Sequence, residues 1–243
     1  MKMENIVEFK ISGRFALFTD PLTRIGGEKC TYQVPTYESL KGILSSVYWK
    51  PTMIWIIDRL RVLHPIRTQT RNARPMDYHG DGNTLSIYTY LFDVAYQVQA
   101  HFEWNENRPD LAQDRNENKH FFVAKRMIKR GGRRDVFLGT RECQGYVEPC
   151  EFGQDLGAYD EYPGEISFGL MFHGFDYPDE SGENNLYARF WNPIMKQGVI
   201  AFPRPEECRI RKKLRAMQPN PPDSIGLSEP GLLEGFEIVE GSS

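Results

Sequence analysis

The sequence lacks the features that mark several classes of protein. Its 243 residues hold four cysteines, none in a Cys-x-x-Cys pair, so neither a disulfide framework nor a zinc site is indicated. A reducing cytoplasm is the expected compartment. No apolar run approaches the roughly 18 residues needed to cross a bilayer, so we expect no membrane association. The first ten residues carry acidic side chains and no apolar core, so we expect no secretory signal.

Motifs that carry common catalytic or cofactor chemistry are also missing. The chain has no Walker loop, no His-Glu-x-x-His, no hydrolase-like order of Ser, His and Asp, and no carboxylate cluster with the spacing of metal ligands. We therefore expect neither a metal ion nor a cofactor. Metal-free chemistry by tyrosine, lysine and histidine is the enzymatic option that remains.

The charge is small in total but unevenly distributed, with a net value of −3. Residues 1–150 hold 22 Lys and Arg against 17 Asp and Glu, whereas residues 151–243 hold 8 against 16. An acidic second half would keep the protein in solution while a basic surface in the first half binds a polyanion. Two solvated faces without a partner explain these numbers equally well.

Hydrophobic periodicity predicts six elements in the order strand, helix, strand, strand, helix, strand. They cover Asn5 to Asp20, the segment from Thr36 to Pro51, Met53 to Leu63, Leu85 to Trp104, Pro109 to Arg130 and Asp135 to Val147. Thr36 is a good N-cap for the first helix, and Pro51 prevents its continuation. The order is typical of an α+β, ferredoxin-like (RRM-like) domain, an architecture that often presents its sheet or its helices to RNA.

The composition of the sequence changes after residue 152. Gly, Pro and acidic residues then separate short apolar runs, which indicates a small antiparallel β-sheet domain. No positive charge follows Arg215. We predict three segments: 1–152 as the ferredoxin-like domain, 153–218 as the β-rich C-terminal domain, and 219–243 as an acidic, flexible tail.

The most informative window runs from Lys119 to Arg134 and contains no acidic residue. Its seven positive charges are Lys119, Lys125, Arg126, Lys129, Arg130, Arg133 and Arg134. Compensation of a helix dipole needs only one or two cations, so the excess predicts a surface that binds phosphates. The pair Gly131-Gly132 either brings backbone N–H groups to a phosphate or simply ends the helix.

Two residues near this window have both a chemical and an ordinary interpretation. His120 adjoins Lys119, and a histidine can exchange a proton near neutral pH while the neighbouring cation holds a phosphate. A His-Lys pair on a helix surface is nevertheless common and usually inert. Tyr48 ends the first helix, and on the residues alone it is assigned to packing at the edge of the core.

Several motifs of the chain are long enough to identify a family. They are Phe18 to Pro21, Gly26 to Lys29, Tyr32 to Thr36, Tyr48 to Pro51, Arg108 to Leu111, Asp114 to Asn116, Lys119-His120, Gly131 to Cys143, Met171 to Pro178 and Gly198 to Pro205. Together they resemble the subtype I-C CRISPR endoribonucleases, the DvulG type of the Cas-five family within the RAMP superfamily. The likeness extends to about residue 208, and the tail matches less well.

The resemblance implies a ferredoxin-like N-terminal domain, a small C-terminal sheet and cleavage of the repeat hairpin in precursor CRISPR RNA. The family's catalytic tyrosine and Lys-His pair match Tyr48, Lys119 and His120. The implied reaction is a metal-independent transesterification, in which the 2′-OH attacks the adjacent phosphorus and leaves 2′,3′-cyclic phosphate and 5′-OH ends. His120 would transfer a proton, Lys119 would stabilise charge, and Tyr48 would either orient the 2′-OH or assist the proton transfer.

RNA binding and assembly follow from the same resemblance. The residues expected to contact RNA are Arg24, Lys41, Lys125, Arg126, Lys129, Arg130, Arg133, Arg134 and Arg141. The protein would stay on the 5′ handle of the mature crRNA and join the backbone and large subunits of a subtype I-C Cascade surveillance complex. DNA would bind weakly and would not be cut. Two alternatives stay open: a non-catalytic subunit that caps the crRNA, and a small-molecule enzyme on a ferredoxin-like scaffold.

Overall fold

The computed structural model describes residues 5–20, 23, 28–73 and 85–220. Within these ranges the chain forms two β-sheets, which are antiparallel apart from one short parallel pairing, together with a few helices. The predicted α+β class is confirmed. The predicted tail beyond residue 220 lies outside the described residues. No helix in the described ranges has the length and apolar character needed to cross a membrane.

The larger sheet has ten strands in the described part of the chain. They are β1 (Val7–Ala16), β2 (Lys29–Cys30), β3 (Met53–Val62), β4 (Thr68–Ala73), β5 (Ser86–Trp104), β6 (Val136–Phe137), β7 (Gln144–Pro149), β8 (Glu165–Ser167), β11 (Ile194–Lys196) and β12 (Val199–Ala201). The smaller sheet consists of β9 (Met171–Asp176), β10 (Asn185–Trp191) and β13 (Ile210–Ala216). Strands from beyond residue 153 therefore contribute to both sheets.

At the centre of the larger sheet the strand order is β7-β1-β5-β3, and every neighbouring pair is antiparallel. Besides pairing with β1, the long strand β5 pairs with β4 through its first half and with β3 through its second half. Alternate residues of β1, namely Val7, Phe9 and Ile11, are fully buried. This two-residue period is the pattern that predicted the strand.

Two helices pack on this buried face. Helix α1 (Tyr37–Val47) begins where the Thr36 side chain accepts a hydrogen bond from the backbone N–H of Ser39. Helix α2 covers Glu117–Lys129 and buries Ala124 and Ile128 in the same core. The packing holds the end of α1 and the start of α2 on one side of the sheet.

The second predicted helix and the last predicted strand are both interrupted. Residues Pro109–Asp114 form a 3-10 helix, and α2 starts only after Asn116, whose side chain accepts a hydrogen bond from the Lys119 backbone N–H at 3.0 Å. A good N-cap therefore overrides the continuous periodicity. The strand predicted over residues 135–147 is instead the short strand β6, a turn, and β7.

The smaller sheet packs against α1, and His173 lies fully buried at this junction. Its ring stacks on Tyr37 with centroids 4.2 Å apart, and its Nε2–H donates to the carbonyl of Pro203 at 3.1 Å. The other ring nitrogen has no hydrogen-bond partner in the described part of the chain. Burial, followed by the charge of Arg189, lowers the pKa of His173 to about 3. The ring is therefore neutral in the native state.

Acid is expected to destabilise the fold through this histidine. The unfolded chain protonates it below about pH 6.5, whereas the native protein does not until about pH 3. The stabilisation that comes from keeping His173 neutral is complete above pH 6.5. As the pH falls from 6.5 to about 3, the free energy of unfolding should decrease by up to about 1.4 kcal/mol for each pH unit. Urea unfolding at several pH values measures this slope. His173→Gln should flatten it, and the exposed-site control His64→Gln should not. A slope in His173→Gln equal to that of the wild type would contradict the assignment of the acid sensitivity to His173.

Candidate active site

Tyr48 is held rigidly at the end of α1. It is the C-cap residue, with extended backbone angles, and its N–H still donates to the carbonyl of Leu44 at 2.9 Å. Its own carbonyl accepts a 2.7 Å hydrogen bond from the indole nitrogen of Trp55. Both backbone groups are thereby satisfied, which holds in place the backbone that carries the phenol ring.

His120 sits in the first turn of α2, with its ring completely buried at 0% exposure. Its backbone N–H donates to the carbonyl of Asn116, so the N-cap also fixes this residue. The ring meets Trp104 and Phe102 edge-on, with centroids 5.6 and 6.3 Å away. These aromatic walls keep bulk water from the imidazole.

A chain of hydrogen bonds links Tyr48, His120 and Asp114. The hydroxyl of Tyr48 lies 2.7 Å from His120 Nδ1, and His120 Nε2 lies 2.7 Å from the backbone carbonyl of Asp114. A carbonyl only accepts, so Nε2 must carry a proton. In the neutral ring Nδ1 is then the free base, and Tyr48 donates its O–H to it. The arrangement selects the tautomer that can receive a proton from tyrosine.

Burial, followed by the negative charge of Asp114, raises the pKa of Tyr48, while the charge of Arg133 lowers it. The phenol therefore stays protonated at neutral pH and remains the donor in the chain. Tyr48 is 5% exposed, so a small part of its surface reaches solvent while His120 shows none. Of the two side chains joined by this hydrogen bond, Tyr48 is the one with surface open to a substrate.

Asp114 connects Lys119 to this chain. Its carboxylate oxygens lie 2.5 Å from the Lys119 ammonium and 3.4 Å from His120 Nε2. The hydrogen bond from Lys119, with the nearby positive charges, keeps the pKa of Asp114 below its usual range. The structure thus brings together Tyr48, Lys119 and His120, the three residues expected to be catalytic. Sequence reasoning assigned no role to Asp114, although the residue belongs to the family motif Asp114 to Asn116 and lies two residues before the N-cap of the Lys-His helix.

The basic window forms an exposed surface, as its charge count predicts. Its exposed residues beyond Lys119 are Lys125, Arg126, Lys129, Arg130, Arg133 and Arg134, called the basic surface below. Within the described ranges none of these six has an acidic partner closer than 4 Å. Unpaired cations in such a group are typical of a site that receives phosphates.

The remaining residues expected to contact RNA lie elsewhere. Arg141 is exposed in the turn between β6 and β7. Lys41 is buried on α1, where its ammonium pairs with Glu180 in a different cleft. Arg24 lies outside the described residues. The structure therefore does not bring Lys41 to the basic surface.

The backbone of residues 130–134 contributes no free donor. The N–H groups of Gly131 and Gly132 donate to the carbonyls of Ile128 and Met127, which is a helix C-cap. Arg133 and Arg134 donate theirs to the carbonyls of Val47 and Ser46. These last two bonds hold the basic surface against the end of α1, beside Tyr48. A phosphate must therefore be contacted by side chains, and of the two roles open to the glycine pair the structure supports helix termination.

Among the residues that the structure describes, no group of three or more His, Cys, Asp and Glu side chains is arranged to hold a metal ion.

Comparison with known proteins places the chain in a family. The Cas5d family model, described as a CRISPR-associated protein, matches residues 6–203. A Mannheimia succiniciproducens protein named CRISPR pre-crRNA endoribonuclease Cas5d is 28% identical over 226 residues, 83% of this chain and 96% of that protein. A Thermus thermophilus protein of the same name is 27% identical over 176 residues, 68% of this chain and 73% of that protein.

A solved structure described as a CRISPR-associated protein is also similar to this chain. The two share 36% identity with a TM-score of 0.70, over 86% of this chain and 97% of the other. The resemblance identified from the sequence motifs is thereby confirmed. This chain belongs to the Cas5d family of CRISPR-associated proteins.

Proposed function

We propose that the chain is an endoribonuclease that cuts the repeat hairpin of precursor CRISPR RNA without a metal ion. Its relatives from Mannheimia succiniciproducens and Thermus thermophilus are named as pre-crRNA endoribonucleases. The observation that carries the proposal is the hydrogen-bond chain from Tyr48 through His120 to Asp114, set beside a basic surface without acidic partners. Such a chain supplies acid–base chemistry, and the cations supply affinity for RNA.

Tyr48 is the residue that meets the reacting 2′-OH, because the ring of His120 is fully buried. The proton of the 2′-OH passes to the Tyr48 oxygen as Tyr48 gives its own proton to His120 Nδ1. The 2′-oxygen then bonds to phosphorus, and the bond from phosphorus to the 5′-oxygen breaks. The products are a 2′,3′-cyclic phosphate and a 5′-oxygen that takes a proton from water, while His120 returns its proton to solvent through the Tyr48 hydroxyl.

Lys119 stabilises the negative charge that develops on the phosphoryl oxygens. Its side chain is exposed, and Asp114 holds the ammonium in place with a charge-assisted hydrogen bond. A cation that is already in position needs little reorganisation in the transition state, so moving it costs little free energy. Lys119 thus supplies electrostatic stabilisation, while the proton is transferred through Tyr48.

The ferredoxin-like assignment belongs to this proposal as well. The order β7-β1-β5-β3, with α1 after β1 and α2 after β5, supports two split βαβ units. We assign residues 1–152 to this domain, 153–218 to a β-rich C-terminal domain and 219–243 to an acidic tail.

After cleavage the protein stays on the 5′ handle of the product and joins the backbone and large subunits of a subtype I-C Cascade complex. The unpaired cations of the basic surface support retention of the product, since they bind phosphates irrespective of the chemistry. DNA binds the same surface weakly and is not cut, because it lacks the 2′-OH.

A non-catalytic subunit that caps the crRNA is the second candidate. The observation in its favour is the burial of the proposed site, with His120 at 0% and Tyr48 at 5% exposure. A capping subunit needs the basic surface and has no use for a tyrosine hydroxyl bonded to a histidine.

One assay separates the two functions. A labelled repeat stem–loop RNA is incubated with the protein in excess EDTA, and the product ends are identified by their sensitivity to phosphatase and kinase. The nuclease gives a single cut with a 2′,3′-cyclic phosphate and a 5′-OH. Tight binding of the RNA without any cut would leave the capping function.

Asp114→Asn should slow cleavage by about 10- to 100-fold, on the scale of a lost charge-assisted hydrogen bond. The variant keeps the backbone carbonyl that bonds to His120, but the amide no longer holds Lys119. RNA affinity should be unchanged, since no cation is removed. Single-turnover rates and binding are measured beside Glu106→Gln, which removes a nearby exposed carboxylate paired with Arg115. If the Asp114→Asn variant cut the RNA at the wild-type rate, a role for the Asp114 carboxylate would be excluded.

A further inference from the structure

Tyr146 presents an aromatic ring to solvent without a packing role. It lies on β7, where its neighbours Gly145 and Val147 face the core, and its side chain is 64% exposed. Opposite it on β1 is the small residue Ser12. In the described part of the chain the ring has neither a hydrogen bond nor an aromatic partner. Burial in the core therefore gives no reason for a large aromatic residue at this position.

The ring borders a cleft of about 640 Å³ between the turn at residues 130–134 and β7. The lining side chains that carry charge are Arg130, Arg133, Arg134 and the single acid Asp135. Pockets of this size accept ligands as large as a nucleotide. Three cations against one carboxylate favour an anionic occupant, and the glycines at 131 and 132 leave the cleft open.

The cleft begins beside the candidate active site. The backbone N–H of Arg133 donates to the carbonyl of Val47, the residue before Tyr48, and the charge of Arg133 acts on the Tyr48 hydroxyl. An RNA whose reacting group meets Tyr48 therefore has its neighbouring nucleotides close to the cleft. An exposed ring next to arginines is the combination that binds unpaired bases, by stacking on the base and pairing with its phosphates.

We propose that this cleft binds one unpaired nucleotide of the RNA, with Tyr146 stacked on its base and Arg133 and Arg134 on the flanking phosphates. The inference rests on the proposed function and adds to it a subsite for single-stranded RNA. A paired base does not fit, because its neighbours in the helix cover both of its faces. The stem of the hairpin therefore lies outside the cleft.

Binding of two RNAs tests the subsite. One is a repeat stem–loop with single-stranded flanks, made uncleavable by a 2′-deoxy nucleotide at the mapped cut, and the other is a blunt duplex of the same stem. Tyr146→Ala should weaken binding of the flanked RNA by about 5- to 150-fold, the range for loss of one stacked base. Tyr146→Phe, which keeps the ring, should bind within about twofold of the wild type. Tyr162→Ala removes an exposed tyrosine outside the cleft and should have no effect.

The salt dependence separates stacking from charge. Tyr146→Ala should leave the slope of log affinity against log salt unchanged. Arg133→Gln should reduce that slope by roughly the contribution of one phosphate contact. Wild-type affinity in Tyr146→Ala, an equal loss in Tyr146→Phe, or an equal loss on the blunt duplex would overturn the subsite. If the wild type binds the flanked RNA and cuts its all-ribose counterpart, such a result leaves the proposed function intact. A wild type that binds neither RNA would overturn both.

Discussion

Tyr48→Phe is expected to slow RNA cleavage by about 10²–10⁴-fold while the affinity for RNA is retained, the range for loss of a positioned proton-transfer group. The substitution keeps the ring in its place and removes only the hydroxyl, which lies 2.7 Å from His120 Nδ1. His120 is fully buried, so in the proposed reaction its proton exchange with the substrate passes through this hydroxyl. Single-turnover cleavage measured beside filter binding gives both quantities.

The matched control is Tyr37→Phe. Tyr37 begins the helix that Tyr48 caps, is also buried, and donates its hydroxyl to the carbonyl of Trp55 at 3.5 Å without touching the candidate site. Its rate of cleavage should equal that of the wild type. A double variant, Tyr48→Phe with His120→Ala, should be no slower than the slower single variant, because residues acting as one unit are not additive. Wild-type cleavage by Tyr48→Phe would remove Tyr48 from the reaction.

Neutralising part of the basic surface should have the second large effect. Replacing Lys129, Arg130, Arg133 and Arg134 by Gln is expected to lower RNA affinity at physiological salt by orders of magnitude. The slope of log affinity against log salt should fall by about three units, since each phosphate contact contributes about 0.7 to 0.9. Titrations at several salt concentrations measure the slope directly.

The matched control carries the same change of charge on β13 and just before it. Arg209, Lys212, Lys213 and Arg215 are exposed and, within the described ranges, have no acidic partner closer than 4 Å. Their replacement by Gln should alter the slope little if RNA binds beside Tyr48. Equal losses in the two variants would show that affinity follows net charge and that the basic surface is no specific site.

Local patterns predicted the central elements because their physical causes are local. The cap at Thr36 and the alternating residues of β1 and β5 depend on neighbours in sequence, and the structure has these elements where the patterns place them. The break before α2 was missed, because the side chain of Asn116 overrides a helical period that continues through it. The exposure of the basic window followed from an excess of charge that no core can accept.

The site itself depends on contacts between distant residues, which no local pattern contains. Tyr48 and His120 are 72 residues apart, so their hydrogen bond could be expected only from the family resemblance. Asp114 contacts His120 through a backbone carbonyl, a group that every residue has. Lys41 was expected at the RNA, but a carboxylate 139 residues away, on Glu180, pairs with it in another cleft.

Cleavage of an RNA with one 2′-deoxy nucleotide at the mapped cut, in excess EDTA, tests the central claim most directly. The account predicts that the all-ribose RNA is cut under these conditions and that the deoxy copy binds equally well but stays intact. Cutting of the deoxy copy at the same bond, or an all-ribose RNA that is cut only when EDTA is omitted, would contradict a metal-independent attack by the 2′-OH through Tyr48 and His120.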